Sequence, residues 1–335
     1  MRTCLSNFEL SMKWGFRMHF SHCISLSLVA AALSFGTIRS DQPGEPLPDL
    51  LIGYTEFRTD QPRGRYPNEW TMRSVIVKAD GTGRRVLVEE LTREKGSWTQ
   101  FVGWSPDGKS ARLSRNWMSE ENGKWEEAHK DFRRTGDGFR NDMYLVDIAS
   151  GKATKQMPVD DKNKSALLKS LVHGRSMSPD GAWVLFVAGT HYDCHPHVVK
   201  ADGTGLKKLA SRNGYRGVID YLDVYDFHDG SSDLPVWAPD SRSVFYTSKV
   251  GSNVELFRVP LDGKPERLTD TPAGSMHYHP SASPDGKWLL YGSKRDGVRQ
   301  LYVMRLSDRK EWRITDLKKG HAAMWSHWQP AAKKP

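Results

Sequence analysis

A tetrapeptide that occurs four times constrains this chain more than any other feature. The motif Ser/Ala-Pro-Asp-Gly/Ser begins at Ser105, Ser178, Ala238 and Ser283. Proline presets φ at the second turn position and Asp-Gly completes a tight reversal, so each copy predicts a turn. The residues after each copy have β character, as in the run Ser-Val-Phe-Tyr-Thr-Ser at 243–248. Each copy therefore predicts two antiparallel strands joined by this turn.

A second kind of turn alternates with the first. The heptapeptide Val-Lys-Ala-Asp-Gly-Thr-Gly occurs at 77–83 and again at 199–205. Equivalent turns occur at 149–151, 262–263 and 307–308, and the near copies Arg-Leu-Thr-Asp and Arg-Ile-Thr-Asp follow the last two. One repeat thus contains four strands, and Pro239 and Pro284 lie 45 residues apart. This strand count and period are typical of a β-propeller blade.

Five turns of the second kind predict an all-β propeller with five four-stranded blades. The last residues, from Ala323 to Pro330, resemble an innermost strand, and Trp325-Ser326 is aligned with Trp104-Ser105. We therefore expect this C-terminal strand to complete the first blade and close the ring, which removes an exposed sheet edge. The stretches 117–140 and 211–232 fit no blade and are either surface insertions or a degenerate sixth blade. Insertion is favoured because neither stretch carries both kinds of turn.

The first forty residues have the pattern of a secretory signal. Lys13 and Arg17 precede the apolar run Ile24–Phe35, and small and then polar residues follow it. The run has twelve residues, short of the roughly 20 that a membrane span needs, although an uncleaved N-terminal anchor is the alternative. We therefore predict a signal peptide at 1–40, a linker at 41–50, the propeller at 51–330 and a tail at 331–335. This places the mature chain in the periplasm or outside the cell.

Composition excludes several other classes of protein. Three cysteines, at 4, 23 and 194, are too few for a disulfide scaffold or a cysteine-rich zinc site. The formal net charge is +9, but the charges are interspersed, so no nucleic-acid-binding arm is expected. We also expect no transmembrane span after signal cleavage, and a monomer.

The repeat resembles that of the TolB family. The residues that carry the resemblance are Ser283-Pro-Asp-Gly-Lys-Trp-Leu-Leu-Tyr, the strand Leu301-Tyr-Val-Met and the segment Arg313-Ile-Thr-Asp. This WD-like Pro-Asp repeat is similar to those of oligogalacturonate lyases and of the propellers of prolyl oligopeptidases. The resemblance covers about residues 51–330 and implies the propeller fold. The chain contains no Gly-x-Ser-x-Gly motif, which the hydrolase domain of the oligopeptidases would require.

Polar residues are expected where the innermost strands begin. Counting five residues back from each Ser-Pro-Asp turn, and from Ser326 in the closing strand, gives a ring of five positions: Gln100, His173, Asp233, Tyr278 and His321. Gln100, Asp233 and Tyr278 are predicted to contact a ligand. Imidazole and carboxamide groups suit Mn, Zn or Fe, so one divalent metal is the possible cofactor. The resemblance to the lyases, which hold manganese with His and Gln, implies His173, His279, His321, His327 and Gln329 as its ligands.

Two other clusters favour structural interpretations. The acidic residues between Asp220 and Asp233 recur about every third position, which is not the pattern of an EF-hand loop. The segment His191–His197 contains three histidines and one cysteine, and it is predicted to form a loop away from the axis.

Two functions remain open from the sequence. The first is a binding module for an envelope protein, a peptide or a glycan, favoured by the absence of a recognisable nucleophile. The alternative is a metal-dependent polysaccharide lyase of the oligogalacturonate type, with the histidines at one mouth of the channel. No catalytic residue is identified, and whether the chain is an enzyme stays undecided.

Overall fold

The side chains of the Ser-Pro-Asp turns stabilise these turns by hydrogen bonds within the turn. In the first copy, Ser105 Oγ donates to Asp107 Oδ1 at 2.6 Å and accepts the backbone N–H of Ser110 at 2.9 Å. Gly108 completes the turn with φ +69°, a region that glycine enters without strain. The same serine bonds recur at Ser178 and Ser283. The predicted turns are therefore confirmed, and each one sets the register of its two strands.

A computed structural model of the chain describes residues 45–61, 70–129, 138–156, 176–190, 193–213 and 234–331. Within these residues, the strands form five four-stranded antiparallel sheets, here called blades 1 to 5. Blade 1 contains β1 (Leu51–Arg58), β2 (Arg73–Lys78), β3 (Arg85–Val86) and β20 (His321–Trp328). Blade 2 contains β4 (Ser97–Trp104), β5 (Ser110–Met118), β6 (Phe139–Asp147) and β7 (Ala153–Lys155).

The other three blades repeat this order along the chain. Blade 3 contains β8 (Ser176–Met177), β9 (Trp183–Thr190), β10 (Asp193–Lys200) and β11 (Lys207–Lys208). Blade 4 contains β12 (Val236–Trp237), β13 (Ser243–Val250), β14 (Asn253–Pro260) and β15 (Glu266–Arg267). Blade 5 contains β16 (His277–Ala282), β17 (Trp288–Ser293), β18 (Gln300–Arg305) and β19 (Glu311–Arg313). The prediction of a β-propeller built from four-stranded blades is confirmed.

The C-terminal strand completes the first blade, as predicted. β20 pairs with β1 in antiparallel register, with Ile52 opposite Trp328 and Arg58 opposite His321. It occupies the inner-edge position that β4, β8, β12 and β16 occupy in their own blades. The predicted alignment of this strand is wrong by three residues, however. Trp328, not Trp325, stands at the position of Trp104, because each lies opposite the second residue of its neighbouring strand.

A tryptophan at the end of the inner strand ties three blades to the blade before them. The indole Nε1 of Trp104 donates to the carbonyl oxygen of His327 at 3.2 Å, which joins blade 2 to blade 1. The equivalent indoles of Trp328 and Trp237 donate to Ser281 O at 2.9 Å and to Ser176 O at 3.1 Å. Blades 5 and 3 carry Ala282 and Met177 at this position instead. The predicted inter-blade role of these tryptophans is confirmed for Trp104 and Trp237.

Apolar side chains fill the spaces between neighbouring blades. The largest cluster lies between blades 5 and 1 and includes Tyr54, Val75, Trp288 and Val303, all of them buried. Side chains on alternate positions of a strand point to opposite faces, so each blade contributes one apolar face to each neighbour. This packing positions the polar residues at the edges of the clusters.

The insertion after β5 forms a helix rather than a further blade. Helix α1 (Glu120–His129) lies between β5 and β6 of blade 2. Asn122 and Glu126 on its buried side are joined by a hydrogen bond of 3.3 Å. The second unmatched stretch, 211–232, falls mostly outside the described residues, as does the predicted signal segment 1–40. Within the described part of the chain, no helix is both long and apolar enough to cross a membrane.

Candidate functional site

The inner strands have two distinct ends, and the predicted site residues fall at both. The end that carries the Ser-Pro-Asp turns is here called the turn end, and the opposite end, where each inner strand begins, the loop end. His321 begins β20 at the loop end, whereas His327 and Gln329 lie at its turn end. At about 3.3 Å per residue in a strand, His321 and His327 are roughly 20 Å apart. They cannot coordinate one metal ion, since donor atoms lie about 2 Å from zinc.

Gln329 takes the structural place of the turn serine in blade 1. Its Oε1 accepts the N–H of Leu51 at 3.0 Å, as Ser105 Oγ accepts the N–H of Ser110. Its Nε2 donates to the carbonyl oxygen of Gly108 at 2.8 Å. Both amide atoms are therefore engaged in joining the closing strand to blades 1 and 2.

One of the predicted site residues, His279 of blade 5, packs against Trp325 of blade 1. The inner strands β16 and β20 each contain a β-bulge, and the bulged residues His279 and Trp325 have φ values of +50° and +52°. Their rings lie 6.1 Å apart, and the ring of Trp325 stacks on Phe57 at the same spacing. Residues other than glycine rarely adopt such φ values, so the packing of these rings compensates backbone strain.

His327 lies beyond this bulge at the turn end. Its ring faces Phe101 with 6.0 Å between centroids. Burial of the imidazole, and to a lesser extent the neighbouring His279, lower the pKa of His327 to about 4. The imidazole is therefore neutral at physiological pH, the form in which histidine can bind a metal.

The predicted ligand-contact ring is partly corrected by the observed register. Tyr278 and Gln100 occupy equivalent positions in blades 5 and 2, but the equivalent residue in blade 1 is Met324 rather than His321. Tyr278 is buried, and its hydroxyl donates to Ala323 O at 3.0 Å, so it joins blade 5 to blade 1. Its ring fills the space that a Cβ on Gly292 would need. Gln100 is half-buried in β4.

His173 and Asp233 lie outside the described residues, so their predicted roles are untested. Among the residues that the structure does describe, no group of three or more His, Cys, Asp or Glu side chains could hold a metal ion. Metal binding by His279 or His327 stays a prediction.

A cleft that the sequence did not indicate opens between blades 5 and 1 at the loop end. It consists of two cavities of about 320 and 550 Å³ that share Glu56, Arg84 and His321. Volumes of this size are typical of ligand sites. The smaller cavity reaches blade 1 residues, which are Phe57, Arg58, Trp70, Thr71, Arg73 and Val86. The larger one reaches the loop after β19, and its other lining residues are Val77, Gly81 and 314–318.

Glu56 is the centre of the polar contacts in this cleft. Arg84 Nη2 donates to its Oε2 at 2.6 Å, and the hydroxyl of the buried Tyr54 donates to the same atom at 3.3 Å. His321 Nδ1 lies 3.8 Å from Glu56 Oε1. Burial, together with the Glu56 carboxylate, raises the pKa of the Tyr54 phenol well above its usual value. Tyr54 is therefore a fixed hydrogen-bond donor that orients the carboxylate.

One signal in the sequence could have indicated the cleft. Ile52, Tyr54 and Glu56 alternate along β1, which places them on the same face of the strand. Ile52 and Tyr54 are fully buried against blade 5, so the face that ends in Glu56 is an inter-blade face. A carboxylate at the end of a buried apolar face is uncommon unless it is paired.

Comparison with known proteins supports the fold. No family model matches the chain. An uncharacterised protein, Atu1656, from Agrobacterium fabrum is 31% identical over 81 residues, which are 24% of this chain and 27% of that protein. The chain thus matches only about a quarter of the length of this curated relative.

Three solved structures are similar over most of the chain. Hydrazine synthase from Kuenenia stuttgartiensis is 12% identical, with a TM-score of 0.50, over 86% of this chain and 48% of that one. TolB from Acinetobacter baumannii is 17% identical, with a TM-score of 0.43, over 84% of this chain and 67% of that one. An oligogalacturonate lyase in complex with manganese is 12% identical, with a TM-score of 0.31, over 76% and 59%. At these identities the similarity concerns the fold alone.

Proposed function

We propose that this chain is a binding module that holds a segment of a partner protein in the cleft between blades 5 and 1. The observation that supports this proposal is the cleft itself, because its two cavities share the side chains of Glu56, Arg84 and His321 as lining. Two adjacent cavities lined by charged, hydroxyl, aromatic and aliphatic groups suit an extended peptide, which presents backbone amides and varied side chains.

We also propose that the module acts outside the cytoplasm. The support is the pattern of the first forty residues, in which basic residues precede a short apolar run and small residues follow. Sequencing the N-terminus of the protein recovered from a bacterial periplasm tests this location. A mature chain that begins near residue 41 is expected, and recovery of the full-length chain in the cytoplasm would contradict it.

Selection from an unbiased peptide library tests the binding role. We expect peptides that bind the wild-type protein to lose most of their affinity for the His321→Trp variant, since the indole would fill the space that both cavities share. A matched control is His129→Trp, which places the same bulk on exposed helix α1. Both variants should keep the wild-type melting temperature within a few degrees. Selected peptides that bind all three proteins equally would contradict the cleft as the binding site.

The polysaccharide lyase is the second candidate function. Its support is the neighbouring pair His279 and His327, of which His327 is held neutral. Elemental analysis of the purified protein tests it: about one Mn, Zn or Fe per chain, lost in a His279→Ala, His327→Ala double variant, would favour the enzyme. A metal-free protein that leaves polygalacturonate unchanged with added Mn would exclude this candidate.

A further inference from the structure

The charges of the cleft select among possible peptides. Its lining contains the cations Arg58, Arg73, Arg84 and Lys318, and the anions Glu56 and Asp316. Cationic groups are therefore in excess before His321 is counted. Whether this excess of positive charge can attract a ligand depends on which of the cations are already paired with carboxylates.

The two carboxylates of the cleft are already engaged by arginines. Glu56 accepts from Arg84 at 2.6 Å, and Asp316 accepts from Arg313 Nη2 at 2.8 Å. Arg58 is likewise paired, with Asp60 at 2.7 Å. These pairs leave little negative charge to attract a cationic ligand.

Arg73 and Lys318 are the cations that this pairing leaves over. Neither forms an ion pair with any residue in the described part of the chain. Among the described residues, the guanidinium of Arg73 donates to the carbonyl oxygens of Trp70 at 2.9 Å and Met72 at 2.8 Å. Burial lowers the pKa of Arg73, and the carboxylate of Glu89 opposes this effect from beyond ion-pair distance. A half-buried cation that has no carboxylate in direct contact is stabilised by a ligand that supplies one.

The positions of these two cations suggest a ligand with two separated acidic groups. Arg73 lines only the smaller cavity, and Lys318 lines only the larger one. The apolar part of the lining is Phe57, Trp70 and Val86 in the smaller cavity and Val77, Ile314 and Leu317 in the larger one. These apolar groups favour apolar side chains of a peptide over the hydroxyl groups of a polysaccharide, because buried hydroxyls need hydrogen-bond partners.

We propose that the cleft binds an acidic peptide segment in which at least two carboxylates are interspersed with apolar residues. The inference rests on the proposed binding function and adds the chemical class of the ligand. One carboxylate pairs with Arg73 and another with Lys318, while the apolar lining residues contact the residues between them.

Fluorescence anisotropy with three labelled heptapeptides tests this proposal. The peptides alternate leucine with glutamate, glutamine or lysine, and polygalacturonate serves as competitor. We expect the glutamate peptide to bind at 20 mM NaCl and to bind more weakly at 500 mM. Salt shortens the distance over which exposed charges interact. The Lys318→Glu variant should bind it at least fivefold more weakly. The matched control, Lys319→Glu, changes the adjacent exposed residue, which lines neither cavity, and should alter affinity less than twofold.

The outcomes separate the ligand class from the function. Equal binding of the glutamine peptide, or preferred binding of the lysine peptide, would overturn the acidic class and leave the binding module intact. Equal losses of affinity for the glutamate peptide in Lys318→Glu and Lys319→Glu would overturn the assignment of Lys318 as a contact residue. Binding would then depend only on the net charge of the protein. Binding of polygalacturonate without the glutamate peptide would overturn the choice of a peptide. Absence of any binding, in a protein that selects no library peptide either, would overturn the proposed function as well.

Discussion

Trp104 Nε1 donates its hydrogen bond to a carbonyl oxygen of the preceding blade, that of His327, at a distance of 3.2 Å. The Trp104→Phe variant keeps an aromatic ring there and removes the donor. We expect it to lower the free energy of unfolding by about 1–2 kcal/mol, because a part-buried carbonyl loses its partner. Urea denaturation measures the difference. Trp312→Phe, at a half-buried indole, is the control and should cost less than Trp104→Phe.

The close contact of Gly53 with the ring of Phe101 excludes a side chain at residue 53. A Cβ placed there would lie 1.9 Å from Phe101 Cζ. We expect Gly53→Ala to lower the free energy of unfolding by about 2–4 kcal/mol, since overpacking forces the ring to move. The second substitution Phe101→Leu should recover part of this loss. Thermal denaturation of both single variants and the double variant measures the coupling, and strictly additive effects would argue against the contact.

The buried carboxylate of Glu255 joins blades 4 and 5, because its Oε2 lies 3.5 Å from Nε2 of His277 in β16. It accepts hydrogen bonds from Asn253, Thr271 and Arg267, each at about 3 Å, and from Thr269. Burial would raise its pKa, but the donors, His277 first among them, outweigh burial and lower that pKa far below its usual value. The unfolded chain therefore binds the proton more readily, so stability from Glu255 is complete above pH 5 and declines as the pH falls below about 4.

The Glu255→Gln variant measures that contribution. At pH 6 we expect it to lower the free energy of unfolding by about 2–4 kcal/mol, because the charge-assisted bonds are lost within a buried site. The difference between wild type and variant should narrow as the pH is lowered from 5 to 3. A difference that stays constant over this range would show that folding does not lower the pKa of Glu255.

Gln329 distinguishes a structural role from a metal-binding role. Gln329→Ala removes the bonds to Leu51 and Gly108, and we expect a loss of about 1–2 kcal/mol. The loss should be the same in EDTA and in added Mn, as calorimetry can show. Destabilisation that appears only with Mn present would instead favour Gln329 as a metal ligand.

The turns made most of the fold predictable, and the closing blade shows where prediction failed. Ser-Pro-Asp-Gly presets backbone angles locally, so four inner strands could be placed from sequence alone. The closing strand has no such turn, because Gln329 Oε1 replaces the serine hydroxyl. Trp325 then resembles the turn tryptophan, although it occupies a bulge three residues earlier.

The cleft was not predicted because its parts are distant in the chain. Glu56, Arg84 and His321 come from β1, the turn before β3 and β20, and these residue types do not recur together in the other blades. Their proximity depends on the pairing of β20 with β1, which brings residues from the two ends of the propeller into one sheet. His321 and His327 were predicted to share a metal site because both are histidines. They lie at opposite ends of β20, so the direction of the strand separates them.

The pairing of β1 with β20 also determines how long one edge of β1 stays unpaired while the chain is synthesised. β1 leaves the ribosome some 270 residues before the strand that covers its edge. At about 5–20 residues per second, that edge waits roughly 15–50 s for its partner. During this interval the nascent chain presents a row of free backbone donors and acceptors, which is a template for aggregation. The edge of the first blade is covered only when the last strand, β20, has been made and has paired with β1.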